Sequence, residues 1–115
     1  MANPVAWFEL IGPDGAALQS FYSQAFDWEV DASNPMNYGM VPAAAGGIPG
    51  GIAGSPDASA RATFYVAVDD VQSALDRVTK LGATMVMPAT DVPEGPTIAM
   101  FTDPAGNLVG LMKPM

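Results

Sequence analysis

The side chains that could carry out chemistry in this chain are few in kind. Its 115 residues include no cysteine and no histidine, which removes thiolate metal sites and the commonest metal ligand and general base. Glu9 is the most promising ionisable group that remains, because its neighbours in sequence are aromatic and apolar. A poorly solvated carboxylate is suited to proton transfer or to accepting a ligand hydrogen bond. The alternative is a structural glutamate bonded to backbone or to a tyrosine.

Strand alternation groups the other candidates with Glu9. Residues two apart in a strand share a face, so Trp7 lies beside Glu9, Thr63 beside Tyr65, and Gly110 beside Met112. Apolar walls with a few oriented polar groups are typical of small-molecule sites. Met100 would add a flexible thioether, with plain core packing as its alternative. The predicted ligand-binding residues are Trp7, Glu9, Thr63, Tyr65, Met100, Gly110 and Met112.

An internal repeat would position these residues. The segment WFELIGPDGAAL, from Trp7, aligns with TFYVAVDDVQSAL, from Thr63, at an offset of 56 residues. Each copy reads as a strand, an acidic helix cap (Asp14, then Asp69 or Asp70) and an amphipathic helix. Three short strand candidates follow each helix, at 28–30, 38–41 and near Ile52 in the first half and at 83–87, 97–102 and 108–112 in the second.

This pattern predicts an α+β fold of two βαβββ modules. One module is too small to bury its own sheet face, so we expect the two to pair and form a cleft. A chain of this length suits a single domain. We expect module one at about 1–55, a Gly/Pro-rich linker at about 42–56 and module two at about 57–115. The linker lacks the lysine of a phosphate-binding loop.

Composition limits the partners. Twelve acidic and four basic residues give a formal charge of −8, which would repel a phosphate backbone, so we expect no nucleic acid partner. No apolar run approaches the roughly 20 residues that span a bilayer, and the first residues lack the pattern of a signal peptide. The expectation is a cytoplasmic protein with no membrane partner.

Three segments together resemble the vicinal oxygen chelate superfamily, which includes glyoxalases, bleomycin-resistance proteins and extradiol dioxygenases. They are WFELIGPDGAALQSFYSQAFDWEV, FYVAVDDVQSALDRVTKLGA and FTDPAGNLVGLM, in that order along the chain. The resemblance implies paired βαβββ modules and, often, a homodimer. In enzymes of the superfamily it also implies a divalent metal bound by His, Glu or Gln from the first and last strands of each module.

The positions that match those ligands carry other residues here. They are Trp7, Thr63, Gly110 and a position within 50–52, where there is no acid. A hard divalent ion needs several oxygen or nitrogen donors at about 2 Å, so we expect no metal and no cofactor, with a divalent metal only as the alternative. Gly110 is interpreted as a vacated ligand position. The alternative is a glycine that admits close approach of a neighbouring backbone.

The sequence therefore favours a metal-free protein that binds a small molecule in the cleft. One alternative is a metal-independent or atypical-metal enzyme of the lyase, isomerase or dioxygenase type, with Glu9 as the catalytic acid or base. Another is a dimeric interaction module. Closed twofold symmetry is the commonest assembly, so a homodimer is expected in each case.

Overall fold

The computed structural model describes residues 2–57 and 59–114. Within them the chain forms β1 (Val5–Gly12), α1 (Gly15–Phe26), β2 (Gly39–Val41), β3 (Gly50–Gly54), β4 (Arg61–Ala67), α2 (Val71–Lys80), β5 (Thr84–Asp91), β6 (Thr97–Thr102) and β7 (Leu108–Lys113). The α+β class predicted from the repeat is confirmed. The contacts between residues divide the chain into two compact units. Unit A is Trp7–Thr63, and unit B combines the described residues up to Ala6 with those from Phe64 onward.

Unit A begins at Trp7, within β1, and Asp14 then caps α1. The Asp14 carboxylate accepts a hydrogen bond from the Ala17 backbone N–H at 3.1 Å, which satisfies one of the free donors at the helix start. The strand order is β2-β3-β1, with β3 parallel to β1 and antiparallel to β2. Gln19 ties α1 to β3, because its side-chain amide donates to the Ile52 carbonyl at 2.7 Å.

One predicted strand of unit A is wrong. Residues 28–30 are not a strand, and only an isolated bridge between Asp31 and Met40 lies next to them. The Trp28 side chain instead packs among aromatic rings, stacked on Tyr22 at 5.5 Å and tilted against Phe8 at 5.4 Å. The segment 42–56 contains β3 in its second half, at the weak strand expected near Ile52.

Unit B contains the complete strand, helix and three-strand pattern. Asp70, one of the two predicted caps, accepts from the Ser73 backbone N–H at 2.9 Å, and Gly82 follows α2 with a φ of +112°. The strand order is β4-β7-β6-β5, in which only the β4 and β7 pair is parallel within the described residues. α2 covers a core built from Val68, Val71, Ala74, Leu75, Ala99, Phe101, Val109 and Leu111.

The two helices differ in how they are held. α2 buries Val71, Ala74 and Leu75, whereas α1 buries no residue. Within the described part of the chain, neither helix is long and apolar enough to cross a membrane.

Candidate functional site

The central feature of unit A is a chain of hydrogen bonds that ends on Glu9. The indole Nε1–H of Trp7 donates to the Tyr38 hydroxyl oxygen at 3.1 Å, and that hydroxyl donates to Oε2 of Glu9 at 2.8 Å. Trp7 and Glu9 lie two residues apart on β1 and so share a face, as strand alternation predicts. Glu9 is 9% exposed and is one of two buried polar or charged side chains among residues 2–57 and 59–114. The structure thus joins two of the predicted site residues, Trp7 and Glu9, through Tyr38, which was not among them.

Tyr38 is a site residue that sequence reasoning missed. Its backbone is held by Asn34, which accepts from the Tyr38 N–H at 2.9 Å and donates to the Tyr38 carbonyl at 2.7 Å. Its ring lies on Gly51 of β3, because a Cβ at Gly51 would be 2.0 Å from Cε1 of the ring. The Asn34-Pro35 pair is a turn signal in the sequence, but it gives no indication that the tyrosine reaches back to β1.

Thr63, the last residue of unit A, is the other buried polar residue, at 7% exposure. It lies on β4, the strand that the repeat aligns with β1. Its role as a ligand-binding residue stays a prediction.

In unit B, Gly110 lies in the middle of a cross-strand row. It pairs with Tyr65 on β4 and with Met100 on β6. A Cβ at Gly110 would lie 2.2 Å from Cδ2 of Tyr65, so the tyrosine ring crosses the glycine. The Tyr65 hydroxyl then donates to the Met100 sulfur at 3.8 Å. Three predicted site residues are therefore in direct contact, and the space above Gly110 is filled by an aromatic ring.

The Tyr65 ring explains why position 110 is a glycine, since a larger residue would collide with the ring. The close neighbour is a side chain rather than the backbone that the alternative interpretation expected. Met112, two residues further along β7, is half-buried and pairs with Ala67 and Ile98. Its contact with a ligand stays a prediction.

The position within 50–52 shows the same packing in unit A. The Phe8 ring lies on Gly50, where a Cβ would be 2.2 Å from Cδ2 of that ring, and the Tyr38 ring lies on Gly51. Ile52 is fully buried. Side chains that could bind a metal are thus absent from this stretch, and aromatic rings occupy the space they would need.

The residues at the four family positions do not fit a divalent metal. The indole N–H of Trp7 can only donate, Gly110 has no side chain, and Gly50 and Gly51 are covered by rings. Among residues 2–57 and 59–114, no group of three or more Asp and Glu side chains is arranged to hold an ion.

Comparison with known proteins decides the family. The model of the glyoxalase-like domain matches residues 9–112. The chain belongs to the glyoxalase-like domain family. A relative in Mycobacterium tuberculosis and one in Mycobacterium bovis, each named "Putative glyoxylase CFP32", are 33% identical to it over 119 residues. The alignment covers 93% of this glyoxalase-like chain and 44% of each relative, so the chain spans less than half the length of these relatives.

Solved structures share the glyoxalase-like fold. A glyoxalase/bleomycin resistance protein/dioxygenase superfamily member from Vibrio splendidus has a TM-score of 0.67 at 19% identity, covering 97% of this chain and 99% of that one. Methylmalonyl-CoA epimerase from Mycobacterium tuberculosis has a TM-score of 0.66 at 13% identity, covering 96% of this chain and 87% of the epimerase. At these identities the similarity shows the fold alone.

Proposed function

We propose that this glyoxalase-like chain binds a small organic molecule at the Glu9 face of β1 without a resident divalent metal. The observation that carries the proposal is the hydrogen-bonded chain of Trp7, Tyr38 and Glu9, with distances of 3.1 and 2.8 Å. It sets one carboxylate among two aromatic side chains, a combination typical of small-molecule sites. The indole adds a large flat surface for stacking or apolar contact.

The glycine positions support the metal-free part of the proposal. In the family resemblance, the last strand of each module supplies a metal ligand. Here those strands carry Gly51 and Gly110, and tyrosine rings lie on both. A donor side chain could not be placed at either glycine without displacing a ring.

Intrinsic fluorescence tests ligand binding. Trp28→Phe leaves Trp7 as the only tryptophan, since the chain has two. We expect a small-molecule screen on this variant to yield saturable, stoichiometric changes in Trp7 emission. Glu9→Gln in the same background should weaken the hits, whereas Glu29→Gln, an exposed glutamate, should not. A screen without saturable hits, confirmed by calorimetry, would count against a binding function.

Metal content tests the other part. After dialysis against a chelator and then against buffer with added Mg²⁺, Mn²⁺, Zn²⁺ or Ni²⁺, we expect elemental analysis to find far less than one ion per chain. A stoichiometric, tightly held ion would overturn the metal-free proposal while leaving ligand binding open.

An enzyme is the second candidate, favoured by the same carboxylate. A buried glutamate with a fixed hydrogen-bond donor could act as acid or base in a lyase, isomerase or dioxygenase-type reaction. The name glyoxylase carried by the mycobacterial relatives also favours it. Any turnover found should be abolished by Glu9→Gln with the fold intact, and full activity of that variant would remove Glu9 from the chemistry.

We also propose a homodimer as the working assembly, with neither nucleic acid nor membrane as a partner and the cytoplasm as its place of action. The support for self-association is α1, which has no charged residue in a chain of net charge −8 and exposes Phe21 and Phe26. The stretch between the capping residues Asp14 and Asp27 carries no charge, so two copies could pack it together with little charge repulsion.

A further inference from the structure

We infer that Tyr38 is a positioning residue of the Glu9 site, and that it restricts the ligand at Glu9 to molecules that supply a hydrogen-bond donor, a hydroxyl or an ammonium group. The inference rests on the proposed binding function. It concerns a residue outside the set indicated by the sequence.

The direction of the chain is fixed by Trp7. An indole N–H can only donate, so the Tyr38 oxygen must accept at the 3.1 Å contact. The single phenolic proton of Tyr38 is then directed to Oε2 of Glu9, 2.8 Å away. A hydrogen bond from a hydroxyl to a carboxylate is charge-assisted and stronger than a neutral one. Glu9 is therefore held as an acceptor.

Tyr38 can hold Glu9 in one orientation because the Tyr38 backbone is held in place and its ring rests on β3. Asn34 bonds both its backbone N–H and its carbonyl, at 2.9 and 2.7 Å, and Gly51 leaves room for its ring against β3. Trp7 and Glu9 are both on β1, so the two hydrogen bonds to Tyr38 and the strand itself form a closed loop of contacts. A preorganised acceptor loses little conformational entropy when a ligand binds.

The ligand chemistry follows from this arrangement. An ionised carboxylate has about four acceptor positions and offers no proton of its own, so a ligand group that approaches it must donate. A hydroxyl or ammonium group would be bound, and a second carboxylate would be repelled. The neighbouring indole favours a ligand with a flat apolar part.

The test is a double-mutant cycle in the Trp28→Phe background, with Tyr38→Phe, Glu9→Gln and their combination. Tyr38→Phe keeps the ring on Gly51 and removes only the hydroxyl, and Tyr22→Phe is the matched control. The probes are 2-phenylethylamine and 2-phenylethanol, with 3-phenylpropionate as the acidic comparison. Circular dichroism and thermal melting establish that each variant is folded.

We expect the amine and the alcohol to bind and the acid not to bind. Tyr38→Phe should weaken the amine about tenfold when Glu9 is present, but less than about twofold in the Glu9→Gln background. Equal weakening in both backgrounds would show a merely structural role and overturn the inference. No effect of Tyr38→Phe, or equal binding of the acid, would also overturn it.

A second measurement needs no ligand. The ultraviolet resonance Raman band that reports the indole N–H hydrogen bond should shift in Glu9→Gln when the Tyr38 hydroxyl is present, and should not respond to Glu9→Gln in the Tyr38→Phe protein. An unchanged band in Glu9→Gln with Tyr38 intact would overturn the inference. If the band responds as expected but no probe binds, the positioning of Glu9 stands, the donor-ligand part falls and the proposed binding function loses its support.

Discussion

The two units place the same kind of residue row across their sheets but fill it differently. In unit A the row is Glu9, Gly51 and Met40, and in unit B the aligned residues are Tyr65, Gly110 and Met100. In unit B the tyrosine of the first strand covers the glycine itself. In unit A the first strand carries a glutamate, and Tyr38, from outside the strands, covers the glycine.

Both units therefore keep a tyrosine ring packed on a glycine. The aligned position on the first strand of each repeat differs, because it is Glu9 in unit A and Tyr65 in unit B. Tyr65 fills the space above Gly110 with its own ring and ends on the Met100 sulfur. With Tyr38 supplying the ring in unit A, the same strand position carries the carboxyl group of Glu9, which accepts the Tyr38 hydrogen bond. Unit A therefore holds the ionisable group of the row, and unit B packs the same place as apolar core.

The helices of the two units also differ in charge and in how many side chains they bury. α2 carries charges on its outer side and buries three residues, whereas α1 has no charged residue and exposes Phe21 at 58% and Phe26 at 60%. The rings of α1 pack on one another and on Trp28, at 5.0 to 6.2 Å between centroids. A helix of that character is typical of a surface that binds another protein.

The largest effect is expected from Gly110→Ala. The new Cβ would lie 2.2 Å from Cδ2 and 2.7 Å from Cγ of the Tyr65 ring, which is 6% exposed and cannot swing away. Overpacking of this kind should lower the free energy of unfolding by about 3 kcal/mol, measured by urea denaturation. In a protein that also carries Tyr65→Ala, Gly110→Ala should change the free energy of unfolding very little, because the ring is gone. An unchanged unfolding midpoint for Gly110→Ala would contradict the ring-on-glycine packing.

The next effect concerns the exposed rings of α1. Phe26→Ser should raise the dimer dissociation constant more than tenfold, because exposed aromatic residues are frequent hot spots of association. The measurement is analytical ultracentrifugation over a concentration series. Leu81→Ser, which changes a residue 75% exposed beside α2, is the matched control and should leave association unchanged. If only Leu81→Ser weakened the dimer, the interface would not lie on α1. If the wild-type protein were a monomer, the proposed homodimer would be wrong.

Gly51→Ala should cost less stability than Gly110→Ala and affect the site more. The atoms that its Cβ would meet are at the far end of the half-buried Tyr38 ring, which can move outward. We expect a loss of about 1 kcal/mol in the free energy of unfolding and, in the Trp28→Phe background, a shifted Trp7 emission. Equal destabilisation by the two alanines, with unchanged emission, would mean that the two rows are packed alike.

The smallest effect is the pH response of two exposed turns, one in each unit. A side-chain hydrogen bond from Asn107 lowers the pKa of Asp103 below its ordinary value of 3.8, and a side-chain hydrogen bond from Ser33 lowers that of Asp31. A lowered folded-state pKa means that the stabilisation is fully present above pH 3.8 and is lost as the pH falls below it. Carboxyl NMR titration should give midpoints below 3.8 for both, and Asn107→Ala should raise only that of Asp103.

Much of the fold could be predicted because the repeat combines several local signals. Asp14 and Asp70 are 56 residues apart, and each caps its helix through the backbone N–H three residues later. β6 coincides with its predicted bounds, and β7 extends one residue beyond them. The strand predicted at 28–30 failed because a three-residue alternation is a weak signal, and aromatic packing of Trp28 outweighed it.

By itself the sequence determined both helices, most of the strands, the helix caps and the family, because capping and strand alternation depend on residues close together in the chain. It also indicated Trp7 and Glu9 as neighbours on one strand face. Only the tertiary structure decided that Tyr38 joins them and that the glycines of the last strands are covered by tyrosine rings. The bonds of Tyr38 to Glu9 and Trp7 link residues 29 and 31 positions apart, and the bond of Tyr65 to Met100 links residues 35 apart, so no local pattern encodes such pairings.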